Sequence, residues 1–267
     1  FRPSLALQQT LGNQQAIAAI LLHLGVVAFY EGDFDSAQDQ FQQSIQVYQA
    51  IQNRFGVAKN LNALGVVAMD RGNNEHALDY MTRSIALARE IGDRGGIADA
   101  LNNLGNVYNH LGRFQEAEAH YLQSLALAKE LGKLRLVAIC YHSLGFLAGR
   151  RALYPEAVDY HQQSLALRQQ IGDRWGIAGS IYNIGAMLYN MGKIRESHRY
   201  LSEALALAHD LPDYRSIELA LYDLAFVNLE RGLYEEAREQ ASDCLSRRRQ
   251  VNHVVNVSDT LRLLGTV

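Results

Sequence analysis

Proline is nearly absent: three residues in a chain of 267, where average usage of about 5% would give about thirteen. Proline breaks helix interiors, so its scarcity favours long uninterrupted helices. Cysteine is as rare. Cys140 and Cys244 stand far apart, with no CxxC pair and no Cys/His cluster. That excludes a disulfide framework and a zinc knuckle, and reads as two buried small residues in a reducing compartment. No run approaches 18 consecutive apolar residues, which excludes a transmembrane helix. Residues 1–20 lack the charged start and apolar centre of a secretory signal. The net charge of −3 and pI of about 6.3 give no basic bias toward nucleic acid or an anionic membrane. Apolar residues at 48% and charged residues at 20% exclude wholesale disorder. These absences point to a soluble cytoplasmic protein.

Catalytic signatures are missing as well. The chain has no phosphate-binding glycine loop, no dinucleotide fingerprint, no HExxH and no GxSxG. Acidic pairs such as Glu235–Glu236 sit where solvated charge is the default. The run Arg247–Arg249 is too short for a nucleic-acid track. The residues therefore predict no enzyme, no metal and no cofactor.

What is abundant is glycine, with 21 residues in a sequence otherwise suited to helix. Aligning on a Leu-Gly pair gives Gly25, Gly65, Gly105, Gly145, Gly185 and Gly265, with Ala225 standing in once; each step is 40 residues. With this glycine as position 0, a second glycine recurs at +7, as Gly32, Gly72, Gly112, Gly192 and Gly232, with Ala152 the exception. Position +12 is small, and so is +19: Ser44, Ser84, Ser124, Ser164, Ala204 and Cys244. Such a register is the signature of a repeat architecture.

Each period resolves into two helices. Ile97, Leu101, Leu104, Tyr108 and Leu111 follow helical spacing over 94–111, and Ala117, Tyr121, Leu125, Ala128 and Leu131 follow it over 114–131. The +7 glycine suits a helix C-terminus. Asp93 and Asp173 in the IGDRGG and IGDRWG turns fit a helix restart, and Pro155 falls where a second helix begins. A glycine in mid-helix costs about 1 kcal/mol, so close approach of a neighbouring helix must offset it. The small residues at +12 and +19 are the expected counterparts. Single pairs cannot bury their apolar faces, and stacking supplies the core.

Leu101, Leu104, Gly105, Tyr108, Ala117, Tyr121 and Ser124 together resemble the tetratricopeptide repeat. That family's unit is 34 residues, so the helices here are longer. The longer variant resembles kinesin light chains, Pins-type adaptors and, in its EIGDRGGIADALNNLGNVY phrasing, the sensor arrays of bacterial STAND signalling ATPases. The resemblance implies an all-α fold, an α-solenoid or right-handed superhelix of antiparallel helix pairs. The expected organisation is a single array over 1–267, with repeats at 14–53, 54–93, 94–133, 134–173, 174–213 and 214–253. Half-repeats at 1–12 and 254–267 imply a segment of a longer array, tethered to further domains. His161 and Ala241 stand where the family prefers an aromatic, which predicts less regular packing in the fourth and sixth repeats.

In this family the face of each first helix opposite the packing face lines the concave surface where ligands lie. Positions −6, −3, −2, +1 and +5 occupy it. The resemblance thus nominates Asn62, Asp99, Asn102, Asn103, Asn106 and His110, then His142, Phe146, Tyr182, Asn183, Asn190, Tyr222 and Phe226. Asn at −2 clamps peptide backbone in kinesin light chains and Pins-type adaptors, a pattern matched here by Asn103 and Asn183. Side-chain amides both donate and accept, and exposed aromatics are enriched in recognition surfaces. The expected partner is a peptide, a protein segment or a small effector, bound by a sensor array. The rival readings are a constitutive scaffold and the substrate-recognition arm of an enzyme.

Overall fold

The structure, a computed structural model, describes residues 2–211, 214–250 and 254–265. Among them are fourteen helices and no strand: α1 (Arg2–Thr10), α2 (Gln14–Tyr30), α3 (Phe34–Ala50), α4 (Arg54–Asp70), α5 (Asn74–Glu90), α6 (Arg94–His110), α7 (Phe114–Glu130), α8 (Leu134–Arg150), α9 (Tyr154–Gln170), α10 (Arg174–Asn190), α11 (Ile194–His209), α12 (Tyr214–Glu230), α13 (Tyr234–Gln250) and α14 (Val254–Leu264). The expected repeat boundary after residue 253 falls beside 251–253, outside the described residues. The architecture is an α-solenoid of antiparallel helix pairs. It divides into two compact units, 1–136 and 137–267.

Helix ends follow from local chemistry. Asp33, Asn53, Asn73, Asp93 and Asp173 each accept the backbone N–H three residues on, which satisfies an orphan donor of the next helix. The first helices close with a left-handed residue: Gly32, Gly72, Gly112, Gly192 and Gly232 have φ between 73° and 78°. Ala152 takes the same conformation at φ 59°, where its Cβ crowds the following carbonyl. Pro155 is the second residue of α9, a place where its missing N–H would have had no partner.

The mid-helix glycines meet a large side chain ahead of the small ones expected. A Cβ built on Gly25, Gly65, Gly105, Gly145 or Gly185 would lie 2.6–2.8 Å from the side chain at position +16, which is Phe41, Met81, Tyr121, His161 and Leu201 in turn. Each of these is almost wholly buried. The large residue at +16 makes the nearest contact, and in two pairs the backbone of the small +12 residue also closes in, with Ala77 O and Ala117 O at 3.4 and 3.2 Å from such a Cβ. The small residues also serve the contact through hydrogen bonds. Ser44, Ser84, Ser124 and Ser164 at +19 each donate to the carbonyl of the residue at −7, at 2.7–2.8 Å. Ser197, at +12, donates instead to Gly185 O at 2.8 Å.

The fourth and sixth repeats meet their substitutions in different ways. His161 seats on Gly145 as Tyr121 seats on Gly105. In the α12/α13 pair the exchange is reciprocal: Ala225 brings a methyl where others have none, and Ala241 at +16 withdraws the ring. Both are fully buried in one cluster with Leu263.

Within unit 1, Leu22, Phe41, Leu64 and Val67 form one core cluster, and Met81, Leu101, Leu104 and Val107 a second. Within unit 2, Leu201 with Leu224 and Val227, and Ala208 with Ile217 and Leu221, repeat the theme. Each cluster sits where one helix pair meets the next.

Two substitutions test this packing. Gly105→Ala should destabilise by about 1–3 kcal/mol through overpacking against Tyr121, although helix propensity alone favours Ala by about 1 kcal/mol. Ala152→Gly should stabilise by about 0.5–1 kcal/mol by relieving a left-handed alanine. Urea unfolding followed by far-UV circular dichroism reads both.

Candidate functional site

The face opposite the packing glycines holds the nominated residues, and hydrogen bonds within the protein already engage many of them. In unit 1, Asn103 Nδ2 on α6 donates to Asn62 Oδ1 on α4 at 3.1 Å. Asn106 accepts from the Tyr121 hydroxyl at 2.7 Å. Asn102 is 3% exposed, too deep to reach an extended ligand; its Oδ1 takes no hydrogen bond from the described residues. Of the nominated amides, Asn102 thus belongs to the interior, and Asn103 and Asn106 are hydrogen-bonded to neighbours. His110 and Asp99 are exposed.

Unit 2 uses the same geometry with different chemistry. Tyr182 on α10 donates its hydroxyl to Asp223 on α12 at 2.8 Å. This pair occupies positions −3 and −2 of successive first helices, as Asn62 and Asn103 do. Burial and the adjacent carboxylate hold the Tyr182 phenol well above its ordinary range, so it stays a donor. Burial likewise raises Asp223, opposed by the Tyr182 hydrogen bond and by Arg248. Asn183 and Asn190 turn back onto the carbonyls of Gly179 and Ala186, at 2.8 and 3.0 Å. Such back-bonding competes with ligand clamping. Tyr222 and Phe226 meet edge to face at 5.1 Å between centroids. Arg248 lies 4.5 Å over the Tyr222 ring and is held there by Glu218 at 2.8 Å and Thr260 at 2.7 Å. Phe146 is half exposed, the most open of the nominated aromatics.

His142 departs furthest from expectation. Its ring packs against that of His161, with centroids 5.4 Å apart, and it is only partly accessible. Burial, with Arg168 nearby, pushes His142 down to about 4. Burial, then His142 and Arg168, push His161 down to about 3. Among the described residues no group of three or more His, Cys, Asp or Glu side chains is placed to hold a metal ion.

Sequence reasoning missed a pocket. A cavity of about 180 Å³ opens between the N-terminal halves of α4 and α6 in unit 1. Its floor is small: Ala58, Ser84, Ala88 and Gly96. It is also lined by Lys59, Lys133, Asp93 and Asp99, with Asn62 and the half-exposed ring of Phe55. Partial loss of water raises the Asp99 carboxyl, while Lys133 and then Lys59 pull it down and Asp93 pushes it up. Asp93 also caps α6 through the Gly96 N–H at 2.9 Å. Lys133 rests on the first turn of α6, where a Cβ on Gly95 would strike its Nζ. Asp99 and Asn62 were nominated as groove residues; the volume behind them was not.

These features define a helical-repeat protein with a polar, partly enclosed face. The tetratricopeptide-repeat profile matches residues 16–90, 56–130 and 96–170, and a second profile of the same repeat matches 177–211. These matches cover more than half of the chain, which therefore belongs to the tetratricopeptide repeat family. No curated protein matches at a significant level. Solved structures share the fold at low identity. A Rap protein complexed with competence and sporulation factor has a TM-score of 0.72 at 13% identity, over 94% of this chain and 74% of that one. NprR in complex with its cognate peptide NprX gives 0.68 at 18%, over 92% and 72%. A STAND protein with a tetratricopeptide repeat sensor, from Pyrococcus horikoshii, gives 0.68 at 16%; the match spans 94% of this chain but 39% of that protein.

The histidine pair makes stability depend on pH. The folded state keeps both imidazoles neutral, whereas unfolded histidines protonate below about 6.5. Unfolding then takes up protons, so stability falls as pH drops from about 6.5, down to about 4 for the His142 contribution and about 3 for that of His161, and levels off below. The loss by pH 5 is about 2 kcal/mol for each histidine. His161→Phe, which copies Phe41, should remove about that much of the difference between pH 7 and pH 5 in urea unfolding. An unchanged difference would show that His161 is not buried neutral.

Proposed function

We propose that this chain is the ligand-recognising array of a larger signalling protein, a non-catalytic cytoplasmic module that senses a peptide or protein segment on its concave faces. One observation carries the reading: the mixed-charge pocket and the paired amides Asn62 and Asn103 lie on one polar face of successive first helices, while the opposite faces are closed by packing. A ligand laid along that face meets the paired amides and the charged residues beside the recess, and the recess itself is one that packing alone does not require.

The fold relatives support the choice of ligand class. NprR is solved with its cognate peptide NprX, the Rap protein with competence and sporulation factor, and a third relative is a signalling ATPase with a tetratricopeptide repeat sensor. The same relatives favour a sensor over a constitutive scaffold. The buried cysteines Cys140 and Cys244 are not joined in a disulfide, in keeping with a reducing compartment.

The test is selection of a random displayed peptide library against the whole chain, followed by calorimetric titration of the enriched peptides. Enrichment of a consensus is the expected result. Replacing Asn62 and Asn103 together by alanine should weaken binding by tenfold or more, about 1.4 kcal/mol, with helicity unchanged. A library that yields no consensus, or affinity that ignores the double variant, overturns the concave-face reading.

A further inference from the structure

The pocket in unit 1 has an internal explanation. Position +23 on a second helix lies in register with position −9 on the next first helix, and two junctions fill the space between them with one large side chain. Tyr48 lays its ring on Gly56, where a Cβ would come within 2.4 Å of it. Arg168 lays its stem on Gly176 at 2.5 Å and donates to Gly176 O and Ser180 Oγ, at 2.6 and 3.2 Å. Where +23 shrinks to alanine, its counterpart grows: Ala128 is in register with Leu136, and Ala208 with Ser216. Ala88 and Gly96 break the exchange. Neither supplies volume, and the cavity of about 180 Å³ opens there.

The size and charge of the recess select an occupant. An engineered cavity of about 150 Å³ admits a benzene ring, so one six-membered ring fits here. In the preceding repeat, the chain itself places a tyrosine ring against the equivalent glycine. The lining carries two ammonium groups and two carboxylates, so an inserted cation faces Lys59 and Lys133, and an inserted anion faces Asp93 and Asp99. A neutral ring avoids both repulsions. A phenol adds a hydroxyl that donates to a carboxylate and accepts from an ammonium, and Phe55 offers an aromatic edge at the mouth.

The geometry points to a receptor pocket for a single phenolic side chain, a tyrosine of an extended partner segment, seated between Ala88 and Gly96 beside Lys59, Asp99 and Lys133. This inference rests on the concave-face reading for the partner, but the pocket can be tested without one.

The probe is p-cresol, the tyrosine side chain as a free molecule. It is titrated into the whole chain, with shifts followed at the Ala88 methyl and the Gly96 amide by nuclear magnetic resonance. Saturable shifts centred on these residues are expected, with millimolar Kd, and ethylguanidinium should bind at least tenfold more weakly. Ala88→Tyr copies Tyr48, fills the recess from within and should abolish the p-cresol shifts with helicity retained. Ala88→Leu fills it in part and should weaken them severalfold. Absence of localised shifts in the unmodified chain overturns the proposal, as does equal binding of ethylguanidinium or binding that survives Ala88→Tyr. Library peptides that lack a fixed aromatic and ignore Ala88→Tyr overturn the pocket while leaving peptide recognition intact. A library without consensus alongside localised p-cresol binding overturns peptide recognition and leaves the pocket.

Discussion

The contact between the mid-helix glycine and the bulky residue sixteen positions later sets the geometry of five helix pairs. A missing Cβ lets the second helix approach until a phenyl, thioether, phenol, imidazole or isobutyl group lies on the first helix's backbone. The serine at +19 then reaches a carbonyl on the same first helix, which fixes sliding as well as separation. With the first helix anchored along one face, its opposite face has one orientation left. The side chains at −6, −3 and −2 are presented as a consequence of that packing.

The contact also tolerates chemistry so long as volume is kept. His161 replaces an aromatic without loosening the pair, at the cost of two imidazoles held far below their ordinary range. Ala225 and Ala241 trade a methyl for a ring. Five pairs thus keep a bulky +16 side chain on bare backbone, and in the α12/α13 pair Leu263 joins the two alanines instead. Buried polar groups follow the same logic: Arg248 enters the interior of unit 2 with Glu218 at 2.8 Å and Thr260 at 2.7 Å. A guanidinium so buried is tolerated only when paired in this way.

The architecture was legible in the sequence because the glycine, its leucine and the turn residues recur as the same residue types in nearly every copy. The partner at +16 was not, because it changes type from copy to copy while keeping its bulk. Attention to small residues instead picked +12 and +19, of which +19 proved to be the hydrogen-bonding latch, through a serine in four pairs and through Cys244 on Glu218 O in a fifth. On the concave face, helical angle placed the nominated residues on the right strip. It does not reveal how they pair: Asn62 with Asn103, and Tyr182 with Asp223, join positions 41 residues apart. Nor does it show that Asn102 turns inward or that Asn183 bonds to its own helix. The pocket left no motif at all. Its signal is a failed exchange of volume between Ala88 and Gly96, visible only when +23 and −9 are read as one pair.

That failed exchange separates structural from functional demand. The fold does not need the recess, since Tyr48 closes the equivalent space one repeat earlier against the same kind of glycine. Nor does the charge around it look like packing, since Lys59, Lys133, Asp93 and Asp99 line a single recess in a chain whose net charge is only −3. Cavities of this size forgo contact energy that a larger side chain at position 88 would recover. A position that forgoes it beside an aromatic mouth and balanced charge is fitted to receive from outside the ring that its neighbour supplies from within.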